Sequence, residues 1–468
     1  MANRGPKRRV LNVFMLAMLN VAVICTLRGL PMLAKEGLPL VFYYMVAAFI
    51  FLIPTALITA ELATGWPPQG PGGVYIWVRE AFGKKIGFLA IWLQWIQNVI
   101  WFPTVLSFLA ATIAYLFDPA LASNKMYMVS VVLVTYWMGT YVNFHGMKTS
   151  GIISSIGVLF GVFLPSFLLV VAAVVWLVTG NVSEIAFSWQ GLFPDVTRID
   201  NITLLAGALL IFSGIEVSAV HAMDVKNPKR DYPKAIFLSA LVAVVVLVFG
   251  SLAVAVVVPQ KEISLVAGIM EAFTLFMDHL GLRWTIPFIA ILISMGSLGE
   301  LCSWIIGPSK GLFTTAKDGN LPPFLQHLNK KGVPTHILMV QAGIVTVFSF
   351  IFLFMPTVSS SYWILSALCI LLYLIMYLLL YISAIKLRYS RPNVLRPYKI
   401  AGGNFGMWVV AGIGIVGALF TIIISFFPPS QLLTGNIYFY EGFLIIGVLV
   451  MCSAPLVISA LKKASWKL

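Results

Sequence analysis

Long apolar runs separated by short polar ones make up the chain from residue 11 onward. A helix that crosses ~30 Å of hydrocarbon at a rise of 1.5 Å per residue needs about 20 mostly apolar residues. Runs of that length fall near 11–33, 39–62, 87–116, 127–146, 152–179 and 203–223. A second set lies near 235–258, 285–315, 336–355, 362–386, 406–427 and 439–461. The pattern predicts an all-α integral membrane protein with twelve transmembrane helices. The first run follows Met1–Arg9 directly, but it is too long for a signal-peptide core and no small-residue cleavage site follows, so it reads as retained.

Composition agrees. Hydrophobic residues form 60% of the 468 residues, charged ones 10%, and the mean hydropathy is +0.98. A soluble chain of this length could not hide so much apolar surface, so lipid must act as solvent. The net charge of +14 would suit nucleic acid, but its distribution does not. With the N-terminus inside, only Lys35, Lys125, Arg198, Lys261 and Arg283 fall on outer segments. Arg28 sits within the first span, and every other Lys and Arg lies on an inner segment or at its edge. This positive-inside bias predicts a multi-pass protein of the cell (inner) membrane with both termini cytoplasmic and no nucleic-acid partner. The cysteines Cys25, Cys302, Cys369 and Cys452 lie in or beside apolar spans and read as small, reduced core residues. Two sequons, Asn181-Val-Ser and Asn201-Ile-Thr, fall on the outer side. No linker of disordered composition interrupts the chain, so 1–468 reads as one membrane domain.

Helix breakers and charges inside spans mark where function concentrates. A broken helix is tolerated in lipid only where its freed backbone groups face a cavity or ligand, and an ionisable group within a span is a functional candidate. Span one carries Val23-Ile-Cys-Thr-Leu-Arg-Gly-Leu-Pro31, and span six carries Ile211-Phe-Ser-Gly-Ile-Glu216. These spans hold corresponding positions in two sets of five and run in opposite directions, a pattern that points to a transporter site near the midplane.

Two loops sharpen this reading. Pro71-Gly-Gly-Val-Tyr-Ile-Trp-Val-Arg-Glu-Ala-Phe-Gly83 lies between spans two and three, and Lys226-Asn-Pro-Lys-Arg-Asp-Tyr-Pro233 follows span six. With Gly214-Ile-Glu216 they resemble the amino acid–polyamine–organocation transporters. In span eight, Glu300-Leu-Cys-Ser-Trp-Ile-Ile-Gly-Pro-Ser-Lys-Gly311 is similar to the glutamate/γ-aminobutyrate antiporter branch. The resemblance covers roughly residues 10 to 460. It implies a LeuT-like core of five plus five helices in inverted repeat, 10–180 and 203–388, with broken helices 1 and 6 and peripheral helices 11 and 12 in 406–464. It also implies alternating access, with an amino acid and its exchange partner as ligands. The half-helix after the first break, with free N–H groups and a positive dipole end, would suit a substrate carboxylate. Carbonyls freed before the second break would suit an α-ammonium group.

Residue by residue, Ile24-Cys25-Thr26 stands where many members have glycine-serine-glycine, which narrows the space around a carboxylate. Thr26 could donate to substrate or bond back to a helix carbonyl. Arg28 could snorkel outward or pair with a carbonyl, or else act as counter-charge to an anionic substrate or as a gate element. Glu216, beside Gly214, could carry a proton if it is buried without a partner, or tie the span-six break to a neighbouring helix. Trp304 matches an aromatic position that the resemblance places against substrate, and Tyr373 and Tyr377, four apart on one helix face of span ten, match aromatic positions in the same branch and could bond substrate through their hydroxyls. Phe212 and Ser213 lie at the second break, Phe212 as a candidate gate, and Gln97 is a polar residue within an apolar run that could reach substrate or join two helices. His221 reads as a hydrogen-bonded structural residue and Asn227–Pro233 as structure or inner gating.

Span five, 152–178, contains no Lys, Asp or Glu, whereas some proton-coupled members of the superfamily have a lysine there. Exchange of an amino acid such as glutamate for a related one, or for its decarboxylation product such as γ-aminobutyrate, is therefore the leading mechanism. Proton symport is the runner-up, and a sensor or channel is the different-class alternative. The five histidines are scattered without His-Glu-x-x-His spacing and no Gly-x-x-x-x-Gly-Lys-Ser/Thr occurs, so neither an enzyme, an ATP-driven pump, a metal nor a cofactor is expected.

Overall fold

The computed structural model describes residues 12–66, 72–145, 157, 159–217 and 227–466. Pro71, most of the first part of span five, the end of span six with His221, and Lys226 lie outside them. Regular structure among the described residues is helical. In chain order the helices are α1 (Val13–Ile24), α2 (Leu30–Ala34), α3 (Leu40–Ala47), α4 (Ile53–Gly65), α5 (Gly73–Phe82), α6 (Lys84–Ala114), α7 (Lys125–Phe144) and α8 (Leu164–Val178). They continue with α9 (Leu205–Phe212), α10 (Pro228–Val257), α11 (Gly268–His279), α12 (Ile286–Phe313), α13 (Thr335–Ser349), α14 (Ile351–Phe354), α15 (Val358–Ser390), α16 (Gly403–Ser425) and α17 (Ile437–Ala460).

Short polar side chains start several of them. Asn12 accepts from the Met15 N–H at the head of α1, Asn124 from Tyr127 at α7, and Asn436 from Tyr438 at α17. Thr357 and Ser360 form a capping box on α15. Each satisfies N–H groups that a helix start leaves unpaired. A π-helical turn, Ala48–Leu52, joins α3 to α4, so span two runs on continuously as Leu40–Gly65.

Ten helical stretches among the described residues are long and apolar enough to cross a membrane, against the twelve expected from hydropathy. The other two expected spans are the first, which is split, and α7. The latter is 20 residues long but carries Lys125, Ser130, Thr135, Thr140 and Asn143, which dilute its hydropathy.

α6 is the centre of the bundle, with 94% of its most apolar stretch buried; α12, α13, α15 and α5 pack along it. α17 is peripheral, with 11% of its stretch buried. α1 and α2 lie against α10, and α9 lies between α3 and α15. A second π-helical turn, Leu159–Phe163, precedes α8 and crosses α12 at backbone contact. A Cβ on Gly161 would lie 2.2 Å from the Gly296 nitrogen, and one on Gly157 would lie 2.6 Å from the Met295 carbonyl oxygen. Only glycine permits that approach.

Near residues 61 and 388 the bundle is pinned by buried charge. Glu61 accepts from Arg388 Nε and Nη2, both at 2.6 Å, and from the Ile400 N–H at 2.9 Å; Arg396 Nε lies 3.5 Å away. These bonds join α4, α15 and the segment leading to α16.

Candidate substrate-binding site

Two helices stop in mid-bundle, side by side. α1 ends at Ile24, and Cys25 and Thr26 are extended, with φ/ψ of −79/100° and −122/136°. A single 3-10 turn, Leu27–Gly29, then leads into α2. α9 ends at Phe212, Ser213 is extended, and Gly214 has φ +106°, a conformation that favours glycine. A Cβ on Gly29 would lie 2.8 Å from Ile211 Cγ1, so the two breaks touch.

Between them lies a small, partly open cavity. Of the expected residues, Ile24, Thr26, Arg28, Gln97, Ser213, Trp304 and Tyr373 line it. Cys25 and Gly214 are buried at the breaks without lining it. Phe212 is fully buried and stands edge-on to Tyr44 with ring centroids 5.8 Å apart, so it packs between helices rather than facing the cavity. Ser213 Oγ donates back to the Leu209 carbonyl, and Gln97 Nε2 donates to the Gln94 carbonyl.

Tyr377 also stays off the wall, but it holds the wall together. Its hydroxyl accepts from the Gly214 N–H at 2.9 Å and donates to Glu216 Oε2 at 2.5 Å. Tyr373 donates to Glu216 Oε1 at 2.6 Å, and Gln94 Nε2 donates to the same oxygen at 3.0 Å. Glu216 is 3% exposed and held by three donors, so it does not meet the condition of a buried carboxylate without a partner. The arrangement ties the second break to α15 and α6 and leaves room on the carboxylate for little else.

Arg28 reaches across the cavity. Its guanidinium carbon lies 4.3 Å from the centroid of Trp101, which in turn stands edge-on to Trp304 at 5.8 Å. Arg28 Nε is 3.8 Å from Glu300 Oε1, within ion-pair range but too far for a hydrogen bond, and the Nε is buried without a hydrogen-bond partner. The Arg28 carbonyl accepts from Tyr362 at 3.3 Å. Snorkelling is therefore excluded by the geometry, because the side chain runs into the bundle.

Sequence reasoning missed Asn98, Trp101 and Glu300 as lining residues and Gln94 as a partner of Glu216. Glu300 carried a signal, an acid within an apolar span. Asn98 and Gln94 flank Gln97 in the same polar interruption of span three, but no periodicity distinguishes the side chain that faces the cavity.

The chain matches the amino acid permease family over residues 10–450. It belongs to that family. A glutamate/γ-aminobutyrate antiporter of Lactococcus lactis is 31% identical to this permease over 457 residues, covering 96% of the permease and 90% of the relative. An uncharacterized transporter of Legionella pneumophila is 44% identical over 448 residues, 96% of each chain. A probable agmatine/putrescine antiporter of Lactococcus lactis is 23% identical over 389 residues. The family and these relatives are transporters, and the apolar helices make the permease a multi-pass membrane protein.

A polar cluster gathers around Asp318. Asp318 accepts from Tyr75 at 2.5 Å and from Arg79 Nη1 at 3.2 Å, with Lys84 Nζ at 2.8 Å. Lys462 Nζ donates to the Asp318 carbonyl and to Asn320 Oδ1. The glycine-rich motif on α5 is thereby fastened to the end of α12 and to the segment after α17, which fits a structural or gating part and not substrate contact.

Proposed function

We propose that this permease is a secondary active exchanger working by alternating access. It would trade an amino acid such as glutamate for a related amino acid, or for a decarboxylation product such as γ-aminobutyrate. The carrying observation is the cavity between two adjacent helix breaks. An ammonium group can meet freed carbonyls on one side, and a carboxylate can meet the N–H groups that begin the next helical turn on the other. Similarity to the glutamate/γ-aminobutyrate antiporter supports the exchange partners. The twelve-helix, five-plus-five inverted arrangement belongs to the same proposal: the split first segment and α7 supply the two further spans. The basic residues on alternate segments support cytoplasmic termini in the cell membrane.

Exchange is favoured over coupling through a span-five lysine because span five, 152–178, contains no Lys, Asp or Glu. Gly157 and Gly161 meet the α12 backbone so closely that neither position could hold a side chain. Counterflow in proteoliposomes tests the proposal: labelled glutamate should enter vesicles loaded with glutamate or γ-aminobutyrate and should not enter empty ones. Uptake into empty vesicles driven by a pH gradient would replace exchange with symport. Binding without flux would make the protein a sensor.

A further inference from the structure

Far from the cavity, the end of α15 carries positive charge that nearby carboxylates leave unmatched. Between Ser383 and Ile400 the chain has five basic residues, Lys386, Arg388, Arg391, Arg396 and Lys399, and no acidic one. Arg388 and Arg396 turn inward onto Glu61. Lys386 is exposed, and its Nζ lies 4.2 Å from the ring centroid of Phe82 at the end of α5, with no carboxylate partner among the described residues. Arg391 Nη2 comes only to 3.9 Å from Glu80, whose other oxygen serves Arg79 at 3.2 Å. Tyr389, three residues beyond Lys386 on the same face of α15, accepts from Trp408 Nε1 of α16 at 3.1 Å, which leaves its own O–H available to donate.

Apolar surface continues directly from these donors. Ile382, one turn before Lys386 on α15, is exposed, as are Phe405 and Trp408 at the head of α16. Each part of the patch has a match in a lipid. A ring beneath an ammonium holds it in place without using its N–H groups, and a guanidinium pairs readily with phosphate oxygens. Tyr and Trp gather at the level of the headgroups, with their rings towards the acyl chains. A small soluble anion would answer the charges and leave the apolar strip bare, whereas a phospholipid covers both. We propose that the end of α15, with Phe82 and Trp408 beside it, is a binding site for an anionic phospholipid. The lipid phosphate accepts from Lys386, Arg391 and the Tyr389 O–H, and an acyl chain runs along Ile382. Two cations against one phosphate leave positive charge over, so a head with net negative charge is preferred to a zwitterionic one. In the orientation of the proposed exchanger this lipid belongs to the cytoplasmic leaflet, but the site does not depend on what the cavity carries.

Titrating the purified full chain in detergent with phosphatidylglycerol or phosphatidylcholine, and counting bound lipid by native mass spectrometry, tests the site without requiring transport. Phosphatidylglycerol should bind at least tenfold more tightly than phosphatidylcholine. Lys386→Gln combined with Arg391→Gln should remove that preference. Lys330→Gln combined with Lys331→Gln takes the same charge from exposed positions on another loop and should keep the preference within twofold. Equal binding of the two lipids by wild type, or a folded Lys386→Gln/Arg391→Gln variant that still prefers phosphatidylglycerol, would overturn the proposal. An equal loss in the Lys330→Gln/Lys331→Gln variant would also overturn it, since net charge and not a site would then be responsible. So would displacement of phosphatidylglycerol by millimolar inorganic phosphate, which would mark a site for free anions. Should the Lys386→Gln/Arg391→Gln variant fail to fold, Lys386→Gln alone decides, with at least a threefold loss of preference expected and no loss overturning the site.

Discussion

Tyr377 serves two groups with one hydroxyl: it accepts from the Gly214 N–H and donates to Glu216. Tyr377→Phe would leave a buried N–H unpaired at the point where α9 breaks and would take one of three donors from a buried carboxylate. Orphaning a buried polar group costs about 1–3 kcal/mol. We expect counterflow to fall by at least tenfold, while Tyr373→Phe, which leaves the Gly214 bond intact, falls less; transport rates normalised to folded protein check this. The sequence pointed to most of these residues because charge, glycine and ring positions in apolar runs are rare. It could not rank them. Tyr373 and Tyr377 share a helix face, yet one lines the cavity and the other braces the break behind it, and only the packing of α9 against α15 separates the two.

At the scale of elements, the breaks were legible and the crossings were not. Ile24-Cys25-Thr26 and Ser213-Gly214 interrupt their helices where the sequence placed the interruptions, since polar and β-branched residues beside glycine weaken a helix locally. The π-helical turns at 48–52 and 159–163 and the contact of Gly161 with Gly296 leave no comparable trace, because glycine is common in membrane helices and its partner is far away in sequence. Gly161→Ala should force the π-turn and α12 apart and lower the unfolding temperature in detergent by several degrees. Gly343→Ala, where an added Cβ meets nothing within 4 Å, should leave it unchanged.

The turn between α2 and α3 predicts a pH effect. Burial pushes the Glu36 carboxyl up, against a hydrogen bond from Gln431 at 3.0 Å that pulls it down, to about 8. A raised folded value means that the stability tied to the proton is fully present below the ordinary carboxyl range of about 4.3 and is lost as pH rises through about 8. Wild type should therefore melt at a lower temperature at pH 9 than at pH 5. Glu36→Gln, which keeps a neutral group there, should lose that part of the slope; an equal slope in both proteins would count against Glu36 as its source.

Across the whole molecule, the buried pair of Glu61 and Arg388 holds together pieces more than three hundred residues apart in sequence. Glu61→Gln would strand two arginines, Arg388 and Arg396, in a site with almost no solvent, at a cost of about 3–5 kcal/mol. Thermal unfolding should show a large loss, and Glu61→Leu combined with Arg388→Met should recover part of it. The membrane-embedded, all-helical class could be read from hydropathy, since lipid imposes helices on long apolar runs, and the family could be read from a few motifs. The assignment of charges to pairs could not, because a buried ion pair depends on geometry between distant helices.

The crossing at Gly157 and Gly161 also sets how the bundle can deform. Where two main chains meet with no side chains between them, there is no layer of rotamers to yield, and a small slide would bring carbonyl against carbon. Span five and α12 are thus coupled like the blades of a riveted joint, and a tilt of one carries the other along.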